Sequence, residues 1–243
     1  MESIKIGNTV VEYNIIKSKR KTVGIIVEPE KGVIIRSPER LSEEKIKKLI
    51  QKKSSWILEK LERVSEVKPG PSPKEFLSGE KLPYLGRRYR LKVKEKEDIE
   101  KARIKLYRGH FYIYYPATIT DEREGREAIR NELIKWYRRQ ADKKLRKRVD
   151  KYKKRIGVEP NSIRIKKQEK RWGSCSSKGN INFNWKIIIA PMIVVDYIVA
   201  HELVHLKHPN HSREFWELVE TIIPDYEERQ EWLRINGRRL TLS

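Results

Sequence analysis

The stretch PMIVVDYIVAHELVHLKHPNH, Pro191 to His211, constrains this chain more than any other. Its first half is apolar on nearly all sides, and a helix of that kind has to be buried. Pro191 suits a first helical turn, and Pro209 with Asn210 forms a stop. The segment therefore predicts a buried helix from Pro191 to about Lys207. Its β-branched residues disfavour helix locally, so packing must override propensity. Four of the five histidines of the chain fall between His201 and His211.

On such a helix His201 and His205 leave the same face one turn apart and can converge on one cation. Glu202 can then lie beside a metal-bound water without replacing it. Neutral imidazoles suit zinc, and a catalytic site takes three protein ligands and leaves one position open. His208 is displaced from His201 by about 10.5 Å along the axis, whereas ligand bonds are about 2 Å. His211, beyond the proline turn, can return from a second direction and is the preferred third ligand. Glu214 and Glu217, on a helix expected from Ser212 to about Thr221, are the alternatives.

Of 243 residues, 37% are hydrophobic and 37% charged, which excludes a fibrous or membrane-embedded protein and leaves one large domain or two small ones. Lys and Arg number 56 against 34 Asp and Glu, a net charge of +22. Such a surplus favours polyanionic partners, or reflects the Lys and Glu preference of heat-adapted proteins. Cys175 is the sole cysteine, so no disulfide forms within the chain. No signal-peptide core opens the sequence and no run reaches the roughly 18 apolar residues of a membrane span, so a cytoplasmic location is expected.

Along the chain, Thr9 to Tyr13, Thr22 to Val27 and Gly32 to Ile35 read as antiparallel strands, followed by a helix from Ser42 to about Val64. The segment KPGPSP, Lys68 to Pro73, stops it and suggests a boundary between portions 1–68 and 74–243. Further strands are expected at Tyr89 to Val93, Ala102 to Tyr107 and Phe111 to Tyr115, then a long helix at about 121–156. Between Lys135 and Arg155 stand twelve basic and two acidic residues, a face that is either solvated or turned to nucleic acid. The first 160 residues carry net +19 and the rest net +3. Strands return between 162 and 189, with SSKGN, Ser176 to Asn180, as a hairpin turn. No internal repeat is visible.

Three segments together, RWGSCSSKGNINFNW (Arg171 to Trp185), HELVHLKHPNHSREFW (His201 to Trp216) and IPDYEE (Ile223 to Glu228), resemble the YgjP-like metallopeptidase family. That family is related to the SprT-like proteases and to the broader gluzincins. LPYLGRRYRLKV, Leu82 to Val93, is similar to the family's strand before the long helix. The resemblance implies an α+β fold: a zincin-like metallopeptidase portion with an antiparallel β-sheet and an HExxH helix, preceded by an N-terminal β/α portion. It implies one zinc ion held within 160–235 by His201, His205 and His211, with Glu202 as general base of a metal-dependent hydrolase; a peptide or unfolded protein is the expected substrate.

Arg171 and Tyr226 are candidates to stabilise the oxyanion. Trp172 to Cys175 are expected to border the cleft, as an edge strand able to bind extended peptide, with Cys175 as a small buried thiol. Trp185, Phe215 and Trp216 read as core, and His110 as a surface turn residue. Two competing readings are a nucleic-acid-binding protein with a structural zinc, closed by His208 or Glu214, and a protease recruited to nucleic acid through its basic helix.

Overall fold

In the computed structural model, which describes residues 2–119 and 121–242, the chain divides within KPGPSP into two units, Met1–Pro69 and Gly70–Ser243. The first unit holds β1 (Glu2–Ile6), β2 (Thr9–Ser18), β3 (Gly24–Glu28) and β4 (Gly32–Pro38), ordered β1-β2-β4-β3. Val11, Tyr13, Val33 and Ile35 alternate onto one face and pack against Ile46, Ile50 and Ile57. These three isoleucines lie on two helices, α1 (Glu43–Lys52) and α2 (Ser54–Ser65), where the periodicity predicts one. The interruption falls at Lys53, immediately before Ser54 and Ser55, whose hydroxyls compete for backbone groups and weaken a helix.

The sheet is not wholly antiparallel. β2 and β4 run parallel, Tyr13 opposite Val33, while β3 pairs antiparallel on the outer edge of β4. β4 is the most buried strand of the sheet, and the central place lets it bond on both sides.

The second unit begins with the same connectivity. β5 (Lys81–Tyr84), β6 (Arg87–Lys96), β7 (Arg103–Tyr107) and β8 (His110–Pro116) are ordered β5-β6-β8-β7, again with one parallel pair, β6 and β8. The arrangement recurs although the sequence shows no repeat, because a sheet demands alternation rather than particular residues. Leu82, Leu91, Phe111 and Ile113 point inward to α3 (Glu122–Ile156). The Asp121 side chain accepts from the Glu124 N–H at 2.8 Å to open α3, and Gly157 in the left-handed region (φ 72°) closes it.

The α3 stripe Leu133, Tyr137, Ala141, Leu145, Val149 is fully buried, each large member stabilising the fold by about 1.5–3 kcal/mol. Beyond it come β9 (Ser162–Lys166), β10 (Gly173–Cys175) and β11 (Asn180–Asn184), ordered β10-β11-β9, with β11 parallel to β9 and antiparallel to β10. A 3₁₀ turn (Trp185–Ile189), α4 (Met192–Val204), α5 (Arg213–Ile222) and α6 (Tyr226–Asn236) complete the unit. The sequence does not anticipate α6. No helix among the described residues is long and apolar enough to cross a membrane.

Candidate metal centre

α4 is helical despite Val194, Val195, Ile198 and Val199 because all four are buried, and helix is the form that satisfies the backbone there. It ends at Val204, earlier than the Lys207 expected, and a turn follows in which the Lys207 and His208 N–H groups both bond the Val204 carbonyl. His201 and Glu202 therefore occupy the last turn and His205 the C-terminal cap. Asp196 sits in the middle of α4, buried, and takes a two-pronged hydrogen bond from Arg148 of α3.

One ring nitrogen from each of His201, His205 and His211 lies within 4.8 Å of the other two. The ring centroids stand 4.9, 5.0 and 4.7 Å apart, close to an equilateral triangle. Nε2 of His201 and Nε2 of His211 approach to 3.1 Å. His205 Nδ1 is 3.1 Å from the His208 carbonyl. A carbonyl only accepts, so this bond puts the His205 proton on Nδ1 and leaves Nε2 as a lone pair. Burial, reinforced by His205 and His211, pushes the His201 imidazole down to about 3, and burial also lowers His205. Neutral rings are the form that binds metal.

Phe215 of α5 forms the floor. It is fully buried, and its ring lies 5.0, 4.6 and 4.8 Å from those of His201, His205 and His211. Trp216 stacks on His211 at 5.5 Å and 21°, and Tyr226 stacks on Trp216 at 5.2 Å and 21°. Phe215 and Trp216, read from sequence as core alone, thus also orient the triad. Their i and i+1 positions just beyond the proline turn carry no signal of that role.

Glu202 is 5% exposed and lines a cleft of about 640 Å³ together with the three histidines, Arg171 and Gly173. Burial pushes its carboxyl up to about 8, while the Arg171 guanidinium pulls it down. Arg171 is set on a loop that Asn184 ties down. The Asn184 N–H donates to the Trp172 carbonyl at 2.8 Å, and its Nδ2 donates to the carbonyls of Gln168 (2.7 Å) and Arg171 (3.1 Å). Tyr226, the other oxyanion candidate, is stacked on Trp216 and its hydroxyl donates to Glu227 at 3.3 Å. Cys175 lines the cleft with its thiol pushed up by burial and by Glu202. Neither His208 nor Glu214 joins the nitrogen cluster; Glu214 accepts from Ser212 Oγ at 2.6 Å.

A buried carboxyl beside three clustered imidazoles in an open cleft is the equipment of a metal-dependent hydrolase. The family model for the YgjP-like metallopeptidase domain matches residues 21–236, and the chain belongs to that family. Two crystal structures are similar to part of it. The metallopeptidase zymogen abylysin of Pyrococcus abyssi is 24% identical with a TM-score of 0.37, over 39% of this chain and 96% of that one. The zymogen jannalysin of Methanocaldococcus jannaschii is 22% identical with a TM-score of 0.34, over 39% and 88%. No curated protein matches.

Proposed function

We propose that His201, His205 and His211 hold one divalent ion, zinc by donor type, in a zincin-like peptidase site with Glu202 as general base. The observation that carries this is the triangle of ring nitrogens within 4.8 Å beside the Glu202 carboxyl. The residues fit such an ion: the half-buried ring of His201 and the exposed ring of His211 bring two Nε2 atoms to 3.1 Å, where facing lone pairs repel unless a proton or cation lies between. Three nitrogen donors without thiolate or carboxylate suit zinc. When bound, the ion lowers the pKa of water and polarises a carbonyl.

Glu202 would accept the proton of the attacking water and pass it to the departing amine; burial raises its carboxyl, and a cation held by the three rings would favour the charged form that acts as base. Arg171, at the cleft wall, supplies positive charge for the developing oxyanion. Among the described residues β10 is an edge strand, bonded only to β11, so its free edge can pair with an extended peptide. That mode of recognition favours unfolded or flexible protein substrates.

The test compares wild type with Glu202→Gln for metal content and cleavage of an unfolded protein. The variant is expected to keep its metal and lose about 100-fold or more in rate. Equal cleavage by both forms would remove Glu202 from the mechanism. A protein that binds no divalent ion would overturn the site.

A further inference from the structure

The two four-stranded sheets share one topology but not one outer surface. In the first unit, the outward positions alternating with buried Val11 and Tyr13 include Val10 and Glu12, and the register places Lys5, Arg36 and Glu28 on the same face, so its basic and acidic residues balance. In the second, the positions of β6 that alternate with buried Leu91 are Arg88, Arg90, Lys92, Lys94 and Lys96. Arg103 and Lys105 of β7 and Lys81 of β5 share that face, because their neighbours Ile104, Leu106 and Leu82 turn inward. The acidic residue within β6, Glu95, lies on the opposite side, where it accepts from the Tyr115 hydroxyl. The outer face carries eight basic residues and no acidic one. Among the described residues none of the eight is in an ion pair, unlike the α3 surface, where Arg126–Glu122 and Arg146–Asp142 pair at 2.7 and 2.8 Å.

Aromatic rings run through this charge. β8 presents His110, Tyr112 and Tyr114 between buried Phe111 and Ile113, and β7 adds Tyr107, 46% exposed. The register sets them in rows: Arg90, His110 and Tyr107; Lys92, Tyr112 and Lys105; Lys94, Tyr114 and Arg103. Lys92 Nζ stands 5.3 Å from the Tyr112 ring, and Lys105 Nζ 4.7 Å from the Tyr107 ring. Ring positions two apart on β8 are separated by about 6.7 Å, and rows of charge flank them on both sides at the strand spacing of about 4.8 Å.

We propose that the outer face of the β5–β8 sheet binds single-stranded nucleic acid, the bases stacking on Tyr107, Tyr112 and Tyr114 while the flanking Lys and Arg neutralise phosphates. A sheet offering exposed aromatics amid basic side chains meets both demands of an unpaired strand, a surface for stacking and cations for the backbone. A duplex conceals its base faces and leaves the tyrosines unused. An acidic peptide or an anionic membrane would use the charge and equally ignore the rings. The overall surplus of Lys and Arg does not account for the pattern, since the matching face of the first unit lacks it.

The experiment is fluorescence anisotropy on the full chain with labelled oligothymidylate and oligouridylate of about 12 nucleotides, a matched duplex, and anionic vesicles. Either oligonucleotide should bind more tightly than the duplex, and affinity should fall steeply between about 50 and 200 mM salt. Tyr112→Ala with Tyr114→Ala should weaken single-strand binding about tenfold or more at unchanged net charge, and the Tyr→Phe pair should restore it. Lys147→Glu with Lys151→Glu on α3 serves as the charge control and should cost less than Lys92→Glu with Lys105→Glu. Tyrosine variants that bind like wild type, equal affinity for duplex or vesicles, a dominant α3 effect, or no binding at low salt each overturn the assignment.

Discussion

A β-carbon built on Gly173 would stand 2.5 Å from Oε1 of Glu202 and 2.6 Å from its Cγ, so β10 admits the buried carboxyl only because this position has no side chain. The backbone there is ordinary extended strand, which alanine tolerates. Gly173→Ala should therefore fold and keep its metal while moving Glu202. Displacements of about 1 Å in a reacting group cost about 100-fold, and that loss is expected in kcat with KM little changed. Unaltered kcat would mean that Glu202 has room to spare.

The stack of Tyr226 on Trp216 on His211 orients an exposed imidazole without a hydrogen bond to either aromatic. Supporting contacts of this kind are worth about 10- to 100-fold in metal affinity. Trp216→Ala should weaken zinc binding by that order in a chelator competition, and Trp216→Phe should recover part of it. Identical affinity in all three proteins would show that Phe215 alone aligns the ring.

Arg148 clamps Asp196, so one ion pair joins α3 to the helix that carries His201 and Glu202. The Asp196 contact raises the arginine further above its ordinary value, against the opposing pull of burial. Removing one partner leaves a buried charge alone. Arg148→Ala is expected to lose about 3–5 kcal/mol in urea unfolding, and Arg148→Met paired with Asp196→Leu far less. Similar losses in the single and paired variants would assign the effect to packing.

In the first unit Tyr13 of β2 lies opposite Glu2 of β1 and donates to its carboxylate at 2.8 Å. Burial first, then Glu2, pushes the hydroxyl up to about 12. A raised folded value means that this contribution is complete below the ordinary 10 and is lost as pH rises through about 12. Thermal melting should fall over that window more steeply in wild type than in Tyr13→Phe, with phenolate absorbance reporting the ionisation. Parallel curves would place the alkaline transition elsewhere.

Much of the helical framework was legible in the chain because its signals are local. Asp121 and Gly157 mark the ends of α3, its apolar stripe is continuous, and the His201–His205 spacing puts two rings on one face of α4. The antiparallel expectation holds in part: β10 and β11 form the hairpin expected at SSKGN, but β4, β8 and β11 each also have a parallel partner, a choice made by which strand is most worth enclosing. The helix expected from Ser42 divides at Lys53 for want of a strong former in the two serines beyond.

Residue identity and spacing by themselves determined the imidazole pair, the neighbouring carboxyl and the chain stop that lets His211 return. Only tertiary structure decided that Phe215 underlies all three rings, that Gly173 faces Glu202 across an empty Cβ position, and that basic and aromatic side chains from β6, β7 and β8 merge into one surface. Periodicity records which way a side chain points from its own element. What it meets there depends on elements remote in sequence, and these are brought together by burial of the whole core.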